Sequence, residues 1–191
     1  MRVSREKAAE NRAHVVATAS RLFRQKGFDG IGVADLMKEA GLTHGGFYGQ
    51  FDSKEQLAIE ASQLQHDASA AKWRATVEAN PKRPFDALVD QYLSKRHCDE
   101  LGGCMFAALA ADAARQGDAV RATFTDGLEG LLAVLVEVSP GRTKEARRRA
   151  AIATMAQLVG TVVLARAVDS RALADEIRTA SVASLKAAAA G

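Results

Sequence analysis

The stretch that decides the fold is Val33-Ala34-Asp35-Leu36-Met37-Lys38-Glu39-Ala40-Gly41-Leu42-Thr43-His44-Gly45-Gly46-Phe47-Tyr48-Gly49-Gln50-Phe51. It reads as two short helices, Val33–Ala40 and His44–Phe51, separated by Gly41-Leu42-Thr43. Gly32 is an acceptable N-cap for the first helix, Asp35 lies in its first turn, and Gly41 ends it. The Thr43 hydroxyl is placed to cap the second helix. Two helices joined by so short a turn present the second as a protruding rod that fits a major groove, with the first bracing it from behind. Leu36, Ala40, Leu42, Phe47 and Phe51 form the packing set, which leaves Thr43, His44, Gly46, Tyr48 and Gln50 to face outward.

Upstream, a first helix is expected over Arg5–Lys26. Val15, Val16, Ala19, Leu22 and Phe23 share one face, Lys26 suits the negative end of the dipole, and Gly27 is the C′ residue. Downstream, Ser53-Lys54-Glu55-Gln56 fits a capping box that opens a helix running to about Ala79, with Leu57, Ala61, Leu64 and Ala68 on one face. Asn80-Pro81-Lys82-Arg83-Pro84 breaks it. Further helices are expected at Phe85–Arg96, Cys104–Gln116, Ala119–Val138, Thr143–Val168 and Arg171–Ala189, separated by Gly102-Gly103, Gly117 and Ser139-Pro140-Gly141. That makes about nine helices in an all-α chain. It divides into an N-terminal three-helix helix-turn-helix domain, residues 1–52, and a helical domain, residues 53–191.

Composition agrees. Alanine dominates the 48% hydrophobic content and aromatics are 5%, a balance that favours helix over strand. Residues 1–54 carry nine Lys and Arg against six Asp and Glu, whereas the remainder is balanced, so the net charge of +3 sits where a polyanion would be met. The N-terminus has no apolar signal region, and Leu131–Val136 and Leu158–Ala165 fall short of a membrane span. With two cysteines, Cys98 and Cys104, the chain reads as cytoplasmic and membrane-free.

The segments Gly27-Phe28-Asp29, Val33-Ala34-Asp35-Leu36 and Ala40-Gly41-Leu42-Thr43 lead into Gly45-Gly46-Phe47-Tyr48-Gly49-Gln50-Phe51 and Ser53-Lys54-Glu55-Gln56-Leu57. Together they resemble the N-terminal domain of TetR/AcrR-type transcriptional regulators over about residues 10–58. The order Gly-x-Phe-Tyr-x-x-Phe-x-Ser-Lys-Glu is far more specific than a generic helix-turn-helix. The resemblance implies a repressor that binds a double-stranded, palindromic operator as a homodimer and releases it when an unidentified small molecule enters the C-terminal domain. It assigns Tyr48 and Lys54 to DNA phosphates and Thr43 and His44 to the entrance of the recognition helix, with Val33 and Ala34 completing the DNA-facing set. Gly45 allows close backbone approach, and Gln50 is equipped for bidentate contact with adenine. The plainer alternative has Tyr48 packed against the first helix and His44 as a solvated cap residue. Gly46 and Gly49 depart from the family pattern. With three glycines, each costing up to about 1 kcal/mol against alanine, the recognition helix is expected to firm up only on DNA.

Beyond the motif, Trp73, Phe85, Tyr92, Met105, Phe106, Phe124 and Met155 are candidates to line an effector pocket, or else plain core. Ile152, Met155, Val159 and Val162, with small Ala156 and Gly160, and then Leu173, Ile177, Ala180, Ser184 and Leu185, place a dimer interface on the last two long helices, or an internal core stripe. Cys98 and Cys104 match no zinc spacing, and neither a metal nor a cofactor is expected. They leave open a thiol-based redox or electrophile trigger, or ordinary buried thiols. Two rivals to a regulator remain: a helical enzyme using a cysteine with His97 or His66, for which no convincing acid/base constellation is present, and a protein-binding adaptor.

Overall fold

The computed structural model describes residues 5–99 and 103–190. Met1–Ser4, and Gly102 of the expected break before the sixth helix, lie outside the described residues. Among those described are nine α-helices and no strand: α1 Arg5–Lys26, α2 Val33–Glu39, α3 Lys54–Ala79, α4 Pro84–Tyr92, α5 Lys95–Asp99, α6 Met105–Ala113, α7 Asp118–Val138, α8 Lys144–Ala167 and α9 Arg171–Ala190.

The apolar face of α1 is buried as its spacing requires: Val15, Val16, Ala19, Leu22 and Phe23 all lie in the core. The helix ends at Gly27, whose φ of 81° is the left-handed conformation that glycine adopts without strain. Gly41, at φ 68°, ends α2 in the same way. The capping box forms, with Gln56 N donating to Ser53 Oγ at 3.0 Å and Gln56 Oε1 accepting from Asp52 N at 2.7 Å. α3 packs first against α1 and then against α7, which in turn packs on α8, and α8 on α9.

Four sequence expectations change. The second helix of the motif is a single 3-10 turn, His44–Gly46, followed by hydrogen-bonded turns from Phe47 to Gln50 and Phe51, and Thr43 makes no side-chain cap. Glycines at 45, 46 and 49 remove the propensity that an eight-residue helix would need. The helix expected over Phe85–Arg96 is two, α4 and α5, because Ser94 caps the second: its Oγ accepts from His97 N and its carbonyl from Cys98 N. On α3 the buried stripe passes through Leu57, Ala61, Ser62, His66, Ala70 and Trp73, and leaves Leu64 46% exposed and Ala68 exposed. The stripe turns because the helix changes partner from α1 to α7. Finally, α8 is long and apolar enough to cross a membrane by length and composition, with a mean hydropathy of 1.5 over 18 residues. Short runs concealed this, since Gln157, Gly160 and Thr161 interrupt them. Its inner face, including Ala151, Met155, Leu158 and Val162, is buried in the helical core, whereas Ile152, Val163 and Leu164 are exposed.

Candidate functional site

Phe47 and Phe51 anchor the recognition turn. Both rings are buried and stacked, with centroids 5.4 Å apart, so the intervening Tyr48 is pushed outward and is 67% exposed. Its ring meets Phe47 and His44 edge-on, at 5.1 and 6.0 Å. Ala34, Thr43, His44 and Gly45 are exposed beside it, and Val33, Gly46 and Lys54 are half-buried. The structure thus brings these residues to one end of the molecule on a single turn, the start of α2 and the start of α3.

Gln50 is the exception. Its Nε2 donates to Gly46 O at 3.2 Å, and its Oε1 is buried with no partner, so the side chain closes the turn on itself. The sequence reading missed what holds this turn from behind. Arg12 of α1 donates through both terminal nitrogens to Glu60 of α3, at 2.5 and 2.6 Å, and through Nε to Gln50 O at 3.3 Å. Its guanidinium lies 4.6 Å above the Phe51 ring. The pairing raises the Arg12 pKa, chiefly through the Glu60 hydrogen bond. A signal existed: Arg12 shares the helical face of Val16, Ala19 and Phe23, and a cation on an apolar face implies a partner there.

A second feature lies in the helical bundle. A cavity of about 540 Å³ is bounded by α3, α4, α5 and α6, with Leu131 of α7 and Arg24 of α1. Trp73, Tyr92, Met105 and Phe106 line it as the sequence suggested. Phe85 does not: it borders a separate depression with Val138 and Pro140. Phe124 stands one layer behind, edge-on to Phe106 at 5.5 Å, and Met155 is buried in α8 away from the cavity. Helical spacing separates buried from exposed positions but cannot say which buried residue borders a void.

His66, Lys72 and Arg96 also line the cavity and were not on the sequence's pocket list. His66 is 5% exposed, packed against Phe106 at 4.9 Å and Phe124 at 5.2 Å, and its Nε2 has no hydrogen-bond partner. Burial lowers its pKa from 6.5 to about 4, against a smaller opposing influence of Asp67. Between these values the unfolded chain binds more protons than the folded one, so stability falls as pH drops from 6.5 towards 4. Urea unfolding at pH 5 is expected to show about 2 kcal/mol less stability than at pH 7, and His66→Phe should remove most of that difference.

Both cysteines are buried, free thiols. Burial pushes the Cys98 thiol above its ordinary pKa, against the pull of Arg166 and Arg178. Cys104 lines the cavity and accepts a hydrogen bond from Tyr92 Oη at 2.8 Å. Burial, with Cys104 alongside, pushes the Tyr92 phenol upward.

α6 runs from the cavity to the loop that follows α1. Its N-terminal end supplies Met105 and Phe106 to the cavity. Towards its C-terminal end, Asp112 Oδ2 accepts from Phe28 N at 3.3 Å, and Gln116 just beyond donates to Asp29 at 3.1 Å. A Cβ on Gly27 would stand 2.6 Å from that carboxylate.

The family described as bacterial regulatory proteins, tetR family, matches residues 15–61, the segment that contains α2, the turn and the start of α3. Over that segment the chain resembles the TetR family. Among similar proteins, the HTH-type transcriptional repressor NemR of Escherichia coli (strain K12) is 25% identical over 130 residues, 66% of this chain and 65% of NemR. The HTH-type transcriptional regulator LmrA of Bacillus subtilis (strain 168) is 29% identical over 116 residues, 59% of this chain and 62% of LmrA. The chain therefore spans just under two-thirds of the length of the curated relatives it matches. In three dimensions the likeness is broader. The crystal structure of reduced E. coli NemR superposes with a TM-score of 0.79 at 21% identity, over 93% of this chain and 95% of that one. A TetR transcriptional regulator from Chloroflexus aurantiacus J-10-FL gives 0.78 at 24%, over 95% and 96%. At those identities what is shared is the fold.

Proposed function

We propose that this chain is a ligand-responsive transcriptional repressor of the TetR type that binds a palindromic DNA operator as a homodimer, in the cytoplasm. The observation that carries this reading is the recognition turn. An exposed Tyr48 is held out by two buried phenylalanines and clamped from behind by Arg12 and Glu60, beside Lys54 at the first position of α3. In this reading Tyr48 and Lys54 meet phosphates, the latter where helix dipole and ammonium act together. Val33, Ala34, Thr43, His44 and the backbone of Gly45 and Gly46 border the groove. Gln50 keeps the turn closed and does not read a base.

Residues 1–52 serve as the DNA-binding domain and residues 53–191 as the sensor and dimerisation domain. The exposed apolar side chains of α8 and α9, Ile152, Val163, Leu164 and Leu173, support a second copy docking there. An effector in the cavity displaces the N-terminal end of α6. The Asp112–Phe28 contact carries that displacement to the end of α1, favouring a spacing of the two recognition turns that no longer matches successive grooves. Cys104 on the cavity wall supports a second trigger, covalent attack on an electrophile. In that case Cys104→Ser would abolish release of operator by N-ethylmaleimide.

The test is fluorescence anisotropy against DNA from the gene's own upstream region. Selective binding is expected, with affinity falling about tenfold or more in Tyr48→Ala. The slope of log affinity against log salt should become shallower by about 2 in Lys54→Gln, one phosphate contact per protomer. Binding indifferent to sequence at low salt would sink the proposal.

A further inference from the structure

The cavity lining sorts by chemistry. Trp73, Tyr92, Met105, Phe106 and Leu131 give it buried apolar and aromatic walls. The charged side chains that line it, Arg24, Lys72 and Arg96, are all cationic, and no Asp or Glu is among the described lining residues. Lys72 and Arg96 are exposed, and neither is in an ion pair with a described residue. The buried His66 lies in the wall as well, between this cavity and a second depression beside Gly127, with an Nε2 that no described protein group satisfies. Such a buried, unpartnered nitrogen costs free energy until something bonds to it. The volume of about 540 Å³ suits a small organic ligand, for which pockets span about 300–1,000 Å³.

We propose that the cavity takes an amphipathic organic anion, a flat aromatic body carrying one acid group, with the rings against Trp73 and Phe106 and the acid group beside Lys72 and Arg96. This deepens the effector reading above and rests on it. A cationic ligand could stack on the same rings but would meet the like charges of Lys72 and Arg96, and a neutral one would gain nothing from them.

Trp73 is the one tryptophan of the chain and lines this cavity, so its quenching reports a probe bound nearby, and the variant below places that probe at Lys72 and Arg96. The probes are 8-anilino-1-naphthalenesulfonate and N-phenyl-1-naphthylamine, which share a ring system and differ by the sulfonate. The sulfonate is expected to quench Trp73 and bind at least about tenfold more tightly than the amine. The double variant Lys72→Gln/Arg96→Gln, whose exposed sites leave the fold intact by thermal melting, should lose about tenfold for the sulfonate and nothing for the amine. Equal or tighter binding of the amine overturns the anion preference alone and leaves a ligand-taking cavity. Sulfonate binding unchanged in the double variant also overturns it. No Trp73 response to either probe overturns this inference and the effector reading together.

Discussion

Phe47→Ala is expected to cost the N-terminal unit about 3–5 kcal/mol, the usual range for removing a buried phenylalanine, and with it the proposed operator binding. Phe47 is fully buried, stacks on Phe51 and holds Tyr48 edge-on. The 3-10 turn around it has little helical hydrogen bonding of its own, so the ring supplies the order that propensity does not. For a chain of this size the melting temperature should drop by roughly 10 °C. Hydrogen exchange separates the effect by region: amides of α2 and the turn should lose protection first, whereas those of α7 and α8 should keep most of theirs. Uniform loss of protection along the chain would show that the turn is not a separately anchored element. Tyr48→Ala serves as the contrast, removing an exposed ring at little cost in stability.

Gly127→Val is expected to do the reverse, damaging the proposed sensor and sparing the turn. On α7, Gly127 faces His66 so closely that a Cβ would stand 2.5 Å from the ring's Cδ2 and 2.6 Å from Nδ1. The imidazole is held between Phe106 and Phe124 and cannot give way without moving them. Overpacking of this kind costs typically 1–3 kcal/mol, and a rigid ring against helix backbone belongs at the top of that range, about 3 kcal/mol. The displaced aromatic layer forms one wall of the cavity, so probe binding reported by Trp73 should weaken about tenfold or more. Operator affinity at low temperature should be retained. Unchanged melting and probe binding would mean that α3 and α7 separate more readily than their packing implies.

How much of this was legible depends on how local each cause is. The burial of Val15, Val16, Ala19, Leu22 and Phe23 follows from one helix's own period and could be read directly. The capping box at Ser53 and the glycine stops at 27 and 41 were equally local. The split between α4 and α5 was written in Ser94, a capping residue inside an apparent helix, but it competes with a continuous apolar pattern on both sides. On α3 the turn of the buried stripe away from Leu64 depends on where α7 crosses, which no single-helix pattern contains. The aromatic half of the cavity was found because aromatics are few. Its cationic half was missed because an isolated Lys72 or Arg96 looks like any solvated charge until the fold brings the two together. Arg12 did carry a signal in the apolar face it shares, but its partner Glu60 is 48 residues away and meets it only across two packed helices.

The joint between α6 and the end of α1 is made to a main-chain amide, Phe28 N, which every amino acid except proline possesses. Its other requirement is the absence of a side chain at position 27. Such a coupling asks almost nothing of the identity of its neighbours. A foreign segment grafted in front of α3 would inherit this bond, provided it ends its first helix in glycine, and would have to bring its own partners for Glu60, Gln65 and Gln116. In engineering terms, the proposed reader and sensor meet through a plug that asks little of one side, a starting point for reporters in which one cavity is set to govern different promoters.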